Sequence, residues 1–275
     1  ANSNVTLERS QSGGGARVLQ LASTSSVTKG LKIDYNSSLT ISAINNGTGT
    51  LDYTLALTGG AGVTGEVAGN LYIKGTAGCG TEIDLQDDAT HYAALVVKST
   101  GVIKYFTGTD NTSPATGSYL TMESGSTYEI ARNGGSIPAG NWDDNSNIII
   151  SGTLGSGVAF NQPAYGNLEW NTPLMNATTQ MITTLSPPLT NVSFHNLRII
   201  TTNGKELRLR TGMGAVSPAY EYTVRGNLEV KNSSILVITG NGVTNSDAGA
   251  RLHVMGDIIN EGIIKSEGSI GTVND

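Results

Sequence analysis

The stretch Val224-Arg225-Gly226-Asn227-Leu228-Glu229-Val230 decides the fold, because its Gly-Asn-Leu centre recurs along the chain at nearly constant spacing. The related stretches are Tyr165-Gly166-Asn167-Leu168-Glu169-Trp170, Phe194-His195-Asn196-Leu197-Arg198-Ile199 and Val254-Met255-Gly256-Asp257-Ile258-Ile259. Their central Asn or Asp positions are separated by 29, 31 and 30 residues. Self-similarity at a period of about 30 residues indicates an array of structural repeats.

Each repeat has the pattern of a β-strand that follows a sharp corner. Leu228 and Val230 alternate with a polar residue, which is strand periodicity, and Gly and Asn tolerate the backbone conformations of a corner. If one corner is stacked in every coil, its Asn side chains can hydrogen-bond along the stack. The sequence therefore predicts an all-β, right-handed parallel β-helix of roughly nine or ten coils. The predicted structural ladder consists of Asn70, Asn167, Asn196, Asn227 and Asp257.

The less regular half of the chain is assigned by extending the same alternation. Its expected equivalents of the corner leucine are Leu39, Leu71, Leu95, Leu120 and Ile148. Residues 1–36 are predicted to form an N-terminal cap with the first coils, and residues 37–275 the β-helix. Segments rich in Gly, Asn, Asp and Ser, such as 133–147, are predicted to be loops. Residues 256–275 begin a coil without the polar cap of a terminal repeat. We therefore expect the helix to continue, by further coils of the parent chain in preference to a neighbouring subunit.

Composition restricts the classes of function. Only 14% of the residues are charged, the net charge is −6, and 36 glycines accompany 7 prolines. The sequence has no basic patch with interleaved aromatic residues, so we expect no nucleic-acid partner. It also has no run of 18 apolar residues, so we expect no membrane insertion. Low charge with abundant Ser, Thr and Asn favours a secreted or cell-surface protein.

The repeats resemble those of a known class of proteins. The stretches 165–168, 224–230 and 252–266 look like coils of large secreted, adhesin-like β-helix proteins of Bacteroidota, and the similarity covers about residues 165–275. The resemblance implies an extracellular or cell-surface location and a structural or adhesive role, as a rod, filament or adhesin stalk. It supplies no catalytic residues. The partners expected are other copies or further coils of the same protein, together with surface glycans.

An enzymatic alternative is cleavage of polysaccharides on the same fold, by a lyase or by a hydrolase with paired carboxylates. The residues that would carry it are Asp84, Asp87 and Asp88 with His91, and Asp143 and Asp144 beside Trp142. The Asn-Thr-Asp, Asp-Asp and Gly-His-Gly motifs of pectin hydrolases are not found in the sequence, and neither cluster is accompanied by Arg-x-Lys. We therefore expect these carboxylates to be solvated and the protein to be non-catalytic.

Two binding alternatives use the same segments. Asp143, Asp144 and Asn145 offer the hard oxygen ligands that Ca²⁺ prefers, although their spacing is not that of a calcium loop. Trp142, in a predicted loop, is a candidate for stacking on a sugar ring. The three histidines have no metal-ligand spacing, so zinc is not expected. The sequence thus predicts no cofactor, with a structural calcium ion as the alternative.

Overall fold

Strands are the regular elements of this protein. The computed structural model describes residues 16–21, 25–27, 30–43, 51–58, 64–74, 79–88, 91–92, 94–106, 112–114, 119–185, 191–209, 220–239 and 250–267. Within these ranges no α-helix occurs, and no helix long and apolar enough to cross a membrane is found there. The chain divides into two compact units, residues 1–131 with 136–147 and residues 132–135 with 148–275.

The first unit is built from short strands. They are β1 (Ala16–Leu21), β2 (Ser25–Val27), β3 (Lys32–Ile33), β4 (Ser38–Ala43), β5 (Leu51–Thr58), β6 (Thr64–Val67), β7 (Asn70–Lys74), β8 (Cys79–Asp88), β9 (His91–Tyr92), β10 (Ala94–Val97), β11 (Val102–Tyr105), β12 (Thr112–Pro114), β13 (Tyr119–Met122), β14 (Thr127–Ile130), β15 (Ser136–Ile137) and β16 (Asn141–Trp142). They form three parallel columns, β1-β4-β7-β11-β14, β3-β6-β10-β13-β16 and β2-β5-β8-β12. Strand β9 pairs antiparallel with β8.

The second unit repeats this organisation with a more regular spacing. Its strands are β17 (Asn147–Ile150), whose first residue belongs to the first unit, β18 (Val158–Phe160), β19 (Asn167–Asn171), β20 (Thr179–Gln180), β21 (Ile182–Leu185), β22 (Asn191–Phe194), β23 (Leu197–Thr201), β24 (Glu206–Arg208), β25 (Tyr220–Val224), β26 (Leu228–Val230), β27 (Ile235–Thr239), β28 (Ala250–Val254), β29 (Ile258–Asn260) and β30 (Ile263–Glu267). Parallel columns run β19-β23-β26-β29, β20-β24-β27-β30 and β22-β25-β28, and β18 pairs with β21.

Alternating side chains explain why these segments are strands. In β10, β11, β14 and β17 every second residue is buried, as expected for strands with one face on a core. Aromatic rings fill part of this core: Phe160 packs edge-to-face against Tyr165 and Phe194 in the second unit. The predicted all-β, parallel architecture is confirmed, and it is consistent with a β-helix or solenoid. We call one passage of the chain through the stacked columns a coil.

Two of the predicted corner equivalences are wrong. Leu71 lies opposite Leu39 and Ile103 in the column of β4, β7 and β11, whereas Leu95 and Leu120 pair with each other in the column of β10 and β13. Strands of different columns, such as β10 and β11, show the same alternation of buried and partly exposed residues. The hydrophobic pattern therefore identifies strands without identifying the column to which each belongs.

A second corner recurs along the chain and was not recognised in the sequence. It is a four-residue turn in which the N–H of the fourth residue donates to the C=O of the first, at 2.7–3.2 Å, in 34–37, 98–101, 123–126, 143–146, 172–175, 202–205 and 231–234. Four of these turns end in a buried serine: Ser37, Ser126, Ser146 and Ser234. The third residue has positive φ in several copies, including Asn36 and Gly125. Only glycine, asparagine and a few other residues tolerate that conformation readily.

Candidate functional site

The Gly-Asn corners of the second unit lie in adjacent strands and are joined by their side chains. The Asn196 side-chain amide donates to Asn167 Oδ1 at 2.8 Å. Asn196 Oδ1 accepts the backbone N–H of Asn227 at 2.8 Å, and Asn227 Oδ1 accepts that of Asp257 at 2.9 Å. The ladder is therefore mixed, with one bond between side chains and two from the backbone to a side chain.

The glycine of the motif makes room for these bonds. A Cβ added at Gly226 would collide with Asn196 Oδ1, and one added at Gly256 would collide with Asn227 Oδ1. Where His195 replaces the glycine, Asn167 Oδ1 accepts the side-chain amide of Asn196. Close approach of the preceding coil, which a side chain would block, explains why glycine precedes asparagine.

Asn70 does not belong to this ladder, contrary to the prediction. It lies opposite Ser38 and Val102 in the first unit. The preceding Gly69 is needed for another reason, since a Cβ there would collide with the carbonyl oxygens of Asp34 and Ser37 in the neighbouring turn. The tripeptide Gly69-Asn70-Leu71 thus matches the motif in sequence. Its glycine, however, allows the close approach of backbone carbonyl groups and not of an asparagine side chain.

Charged side chains on the second unit form a ladder of ion pairs between coils. Arg198 contacts Glu169 at 2.9 Å and Glu229 at 2.7 Å. Lys231 contacts Glu229 at 2.6 Å and Glu261 at 3.1 Å. Hydrogen bonds from Lys231 and Arg198 hold the pKa of the Glu229 carboxyl below its usual value of 4.5, although partial burial opposes the shift. The ladder therefore places opposite charges in register from coil to coil.

A second ion-pair group lies deeper and spans two coils. Glu206 is buried, and its carboxylate contacts Arg208 at 2.5 Å and Lys265 at 3.2 Å. Glu206 belongs to β24 and Lys265, 59 residues later, to β30. Strand β27 lies between these two strands, so the Lys265 side chain spans it. This contact ties the last described strand to the second coil before it.

The candidate calcium ligands form one copy of the recurring turn. Asp143 accepts the N–H of Asn145 at 2.8 Å on its carboxylate, and its C=O accepts the Ser146 hydroxyl at 2.6 Å. Asp144 and Asn145 are exposed. The turn Asp143-Asp144-Asn145-Ser146 is equivalent to Asp34-Tyr35-Asn36-Ser37, so the bonds of Asp143 are those of corner formation.

The other acidic candidates lie in strands. Asp84, Asp87 and Asp88 belong to β8 and His91 to β9, where Asp87 lies opposite Tyr92 and Asp88 opposite His91. Their side chains are outside the described part of the structure. In the ranges that are described, no three His, Cys, Asp or Glu residues form a group that could hold a metal ion.

The predicted loop around Trp142 is wrong, because β15 and β16 lie within residues 133–147 and Trp142 belongs to β16. Its ring packs edge-to-face on the buried Tyr128, with centroids 5.8 Å apart. Trp142 is only partly exposed. The ring is used in packing within the first unit, in the way common for aromatic residues on strands.

The most unusual surface belongs to β28, β29 and β30, which we call the end coil (residues 250–267). Ile258 lies in register with Leu228, yet Leu228 is 1% exposed and Ile258 is 59% exposed. Met255, Ile259 and Ile263 are exposed as well. We call Met255, Ile258, Ile259 and Ile263 the end face. Ile258 corresponds to a buried residue of the preceding coil, whereas Ile259 and Ile263 lie opposite the partly exposed Glu229 and Ile235.

The chain was also compared with known proteins, and neither the models of protein families, nor the curated proteins, nor the solved structures include a significant match to it.

Proposed function

We propose that this protein is a non-catalytic, extracellular β-helix module with a structural or adhesive role. The observation that carries the proposal is the use of charged and amide side chains in contacts between coils. Arg198 and Lys231 each bridge two carboxylates, and the asparagines of the corner bond along the stack. Such ladders stiffen an array in which each repeat contacts its neighbours.

The finer architecture we propose is a right-handed helix of roughly nine or ten coils, serving as a rod, filament or adhesin stalk. Its location would be the cell surface or the extracellular medium, in line with the resemblance to secreted β-helix proteins of Bacteroidota. Its partners would be further coils or other copies of the same protein, with surface glycans as additional ligands. Two features support this proposal: the low charge content and the side-chain ladders between coils.

The competing function is cleavage of polysaccharides. We would screen the protein against acidic and neutral polysaccharides, with added Ca²⁺ and with a chelator, and measure the release of reducing ends and of unsaturated products. The expected result is no release under either condition. Cleavage that disappears in Asp87→Ala or Asp143→Ala would overturn the structural role. Asp34→Ala, in the equivalent turn, is the matched control for Asp143→Ala.

A further inference from the structure

A corner of the second unit holds the side chain of Asn133 by three hydrogen bonds to one oxygen. Asn133 Oδ1 accepts the backbone N–H groups of three consecutive residues, Leu154 at 2.9 Å, Gly155 at 3.0 Å and Ser156 at 2.9 Å. Successive N–H groups that converge on one point form a nest, which favours negative charge. Asn133 places a neutral amide oxygen in this nest, although a carboxylate or an oxyanion would bind the same donors more strongly.

The residue that follows Asn133 leaves its backbone nitrogen accessible. It is Gly134, which has no Cβ to shield that nitrogen and has a positive φ of 76°. None of the described residues accepts a hydrogen bond from the Gly134 N–H. The Asn133 side chain is exposed, so water reaches it. A side-chain amide and an accessible nitrogen of the next residue are the two groups that react when an Asn-Gly pair forms a cyclic imide.

We propose that Asn133 modifies itself, by cyclising onto Gly134 and then reacting with water to give aspartate. In the first step the Gly134 nitrogen forms a bond to Asn133 Cγ, and its proton passes through water to Nδ2. The Cγ–Nδ2 bond then breaks and the side-chain nitrogen leaves as ammonia. The nest serves as an oxyanion hole, because its N–H groups lie 2.9–3.0 Å from the oxygen on which negative charge develops. The departing nitrogen gives up a long hydrogen bond to Ser156 Oγ, at 3.3 Å, which costs little.

In the second step water opens the cyclic imide, and the nest selects the carbonyl that reacts. The oxygen on Cγ lies in the nest, so water attacks Cγ, the bond from Cγ to the Gly134 nitrogen breaks, and that nitrogen regains a proton. The product has a normal backbone and a carboxylate in the nest. Attack on the other carbonyl would give an isoaspartyl linkage, in which the chain runs through the side chain. This modification goes beyond the proposed structural role and does not depend on it.

The second unit contains a matched control for this reaction. Asn203 is also followed by a glycine, and both Asn203 and Gly204 are exposed. The Gly204 N–H, however, donates to the Ser233 C=O at 3.0 Å. The side chain of Asn203 donates to the Met175 C=O at 3.0 Å, and none of the described residues donates to its Oδ1. The pair Asn203-Gly204 thus lacks both the accessible nitrogen and the nest, so it should react more slowly.

The test is to incubate the freshly purified full chain at neutral pH and to follow both pairs by peptide mass spectrometry, which separates amide, aspartate and isoaspartate. We expect conversion at Asn133 to be at least about tenfold faster than at Asn203, since one well-placed oxyanion donor contributes about 100-fold or more in enzymes. Aspartate should exceed isoaspartate at position 133. In the chain denatured by guanidinium the two rates should become similar and the share of isoaspartate should rise. An unmodified Asn133, equal rates in the folded chain, or a difference that persists after denaturation would overturn the proposal.

A second measurement does not depend on the reaction rate. Asn133→Asp places the product carboxylate in the nest, so at neutral pH this variant should unfold at a higher temperature than the wild type. The gain should shrink as the pH falls and the carboxylate is protonated. Asn203→Asp is the control and should give no such gain, because its side chain has no nest. If Asn133→Asp unfolds at a lower temperature than the wild type, the nest does not favour negative charge and its proposed role in the reaction is wrong.

Discussion

Two neighbouring coils of the second unit place similar residues in equivalent positions, but these residues differ in how deeply they are buried. In the inner coil (residues 220–239) Leu228 and Val224 are buried, whereas in the end coil Ile258 is exposed and Val254 partly so. The strands pair residue for residue, Val224 with Val254 and Leu228 with Ile258. The comparison shows that burial in this array is supplied by the next coil, not by the residue type or by the strand itself.

The polar corner shows the same difference. Asn227 Oδ1 of the inner coil accepts the N–H of Asp257, while no residue in the described ranges donates a hydrogen bond to the carboxylate of Asp257. An exposed acceptor is solvated by water, so this state costs little. The chemistry of the repeat therefore becomes stabilising only when another coil is added.

The largest effect should come from shortening the buried leucine. We expect Leu228→Ala to lower the free energy of unfolding by about 3–4 kcal/mol, because it removes a buried side chain and leaves a cavity. Ile258→Ala should cost less than about 1 kcal/mol in the monomer, since Ile258 is already in contact with water. Chemical denaturation of both variants at low protein concentration measures the two effects. Equal losses would mean that the end coil is covered in solution.

The next largest effect should come from the buried carboxylate of Glu206, which contacts Arg208 in its own strand and Lys265 in β30. Glu206→Gln leaves Arg208 without its carboxylate and releases Lys265. We expect a loss of about 2 kcal/mol, below the value for a fully buried pair because Lys265 is partly exposed. Lys265→Met should increase hydrogen exchange of β30 with little change in β24. The control is Glu261→Gln, which removes a surface pair and should cost less than about 0.5 kcal/mol.

Sequence reasoning reached the class of fold because the second unit repeats one motif at 29 to 31 residues. In the first unit it placed Leu39 and Leu71 in one column correctly but assigned Leu95 and Leu120 to that column wrongly. The repeat length varies there, since bonds between coils join residues 32 apart at Thr100 and 25 apart at Lys98. Ion pairs such as Glu206 with Lys265 were not predicted either, since they depend on which strands are two coils apart. The buried serine of the turns, as in Glu123-Ser124-Gly125-Ser126, was the available signal for those coils.

A smaller effect is expected at the asparagine corner. Asn196→Ala removes the acceptor of the Asn227 N–H and the donor to Asn167, and we expect a loss of about 1–2 kcal/mol. Asp257→Ala, at the equivalent position of the end coil, should change stability by less than about 0.5 kcal/mol. Thermal denaturation of both variants tests the difference. Gly226→Ala should resemble Asn196→Ala, because its Cβ would displace the Asn196 oxygen.

The smallest effect concerns acid stability and the ion-pair ladder. Glu229 of the inner coil lies between Arg198 and Lys231, and its place is taken by Ile259 in the end coil. Hydrogen bonds from Lys231 and Arg198 lower its pKa below 4.5 in the folded protein. The carboxylate therefore stabilises the fold fully above that value, and the contribution is lost as the pH falls through the folded pKa.

Glu229→Gln should consequently flatten the dependence of unfolding free energy on pH below about 4.5, with a loss at neutral pH of less than about 1 kcal/mol. Lys231→Met should reduce the same dependence only in part, since Arg198 still contacts the carboxylate at 2.7 Å. Denaturation curves of the three proteins between pH 6 and pH 3 measure the slopes. If Glu229→Gln has the slope of the wild type, protonation of Glu229 does not contribute to the loss of stability in acid. If instead the two variants differ in the expected order, Arg198 and Lys231 both contribute to lowering the pKa of Glu229 in the folded protein.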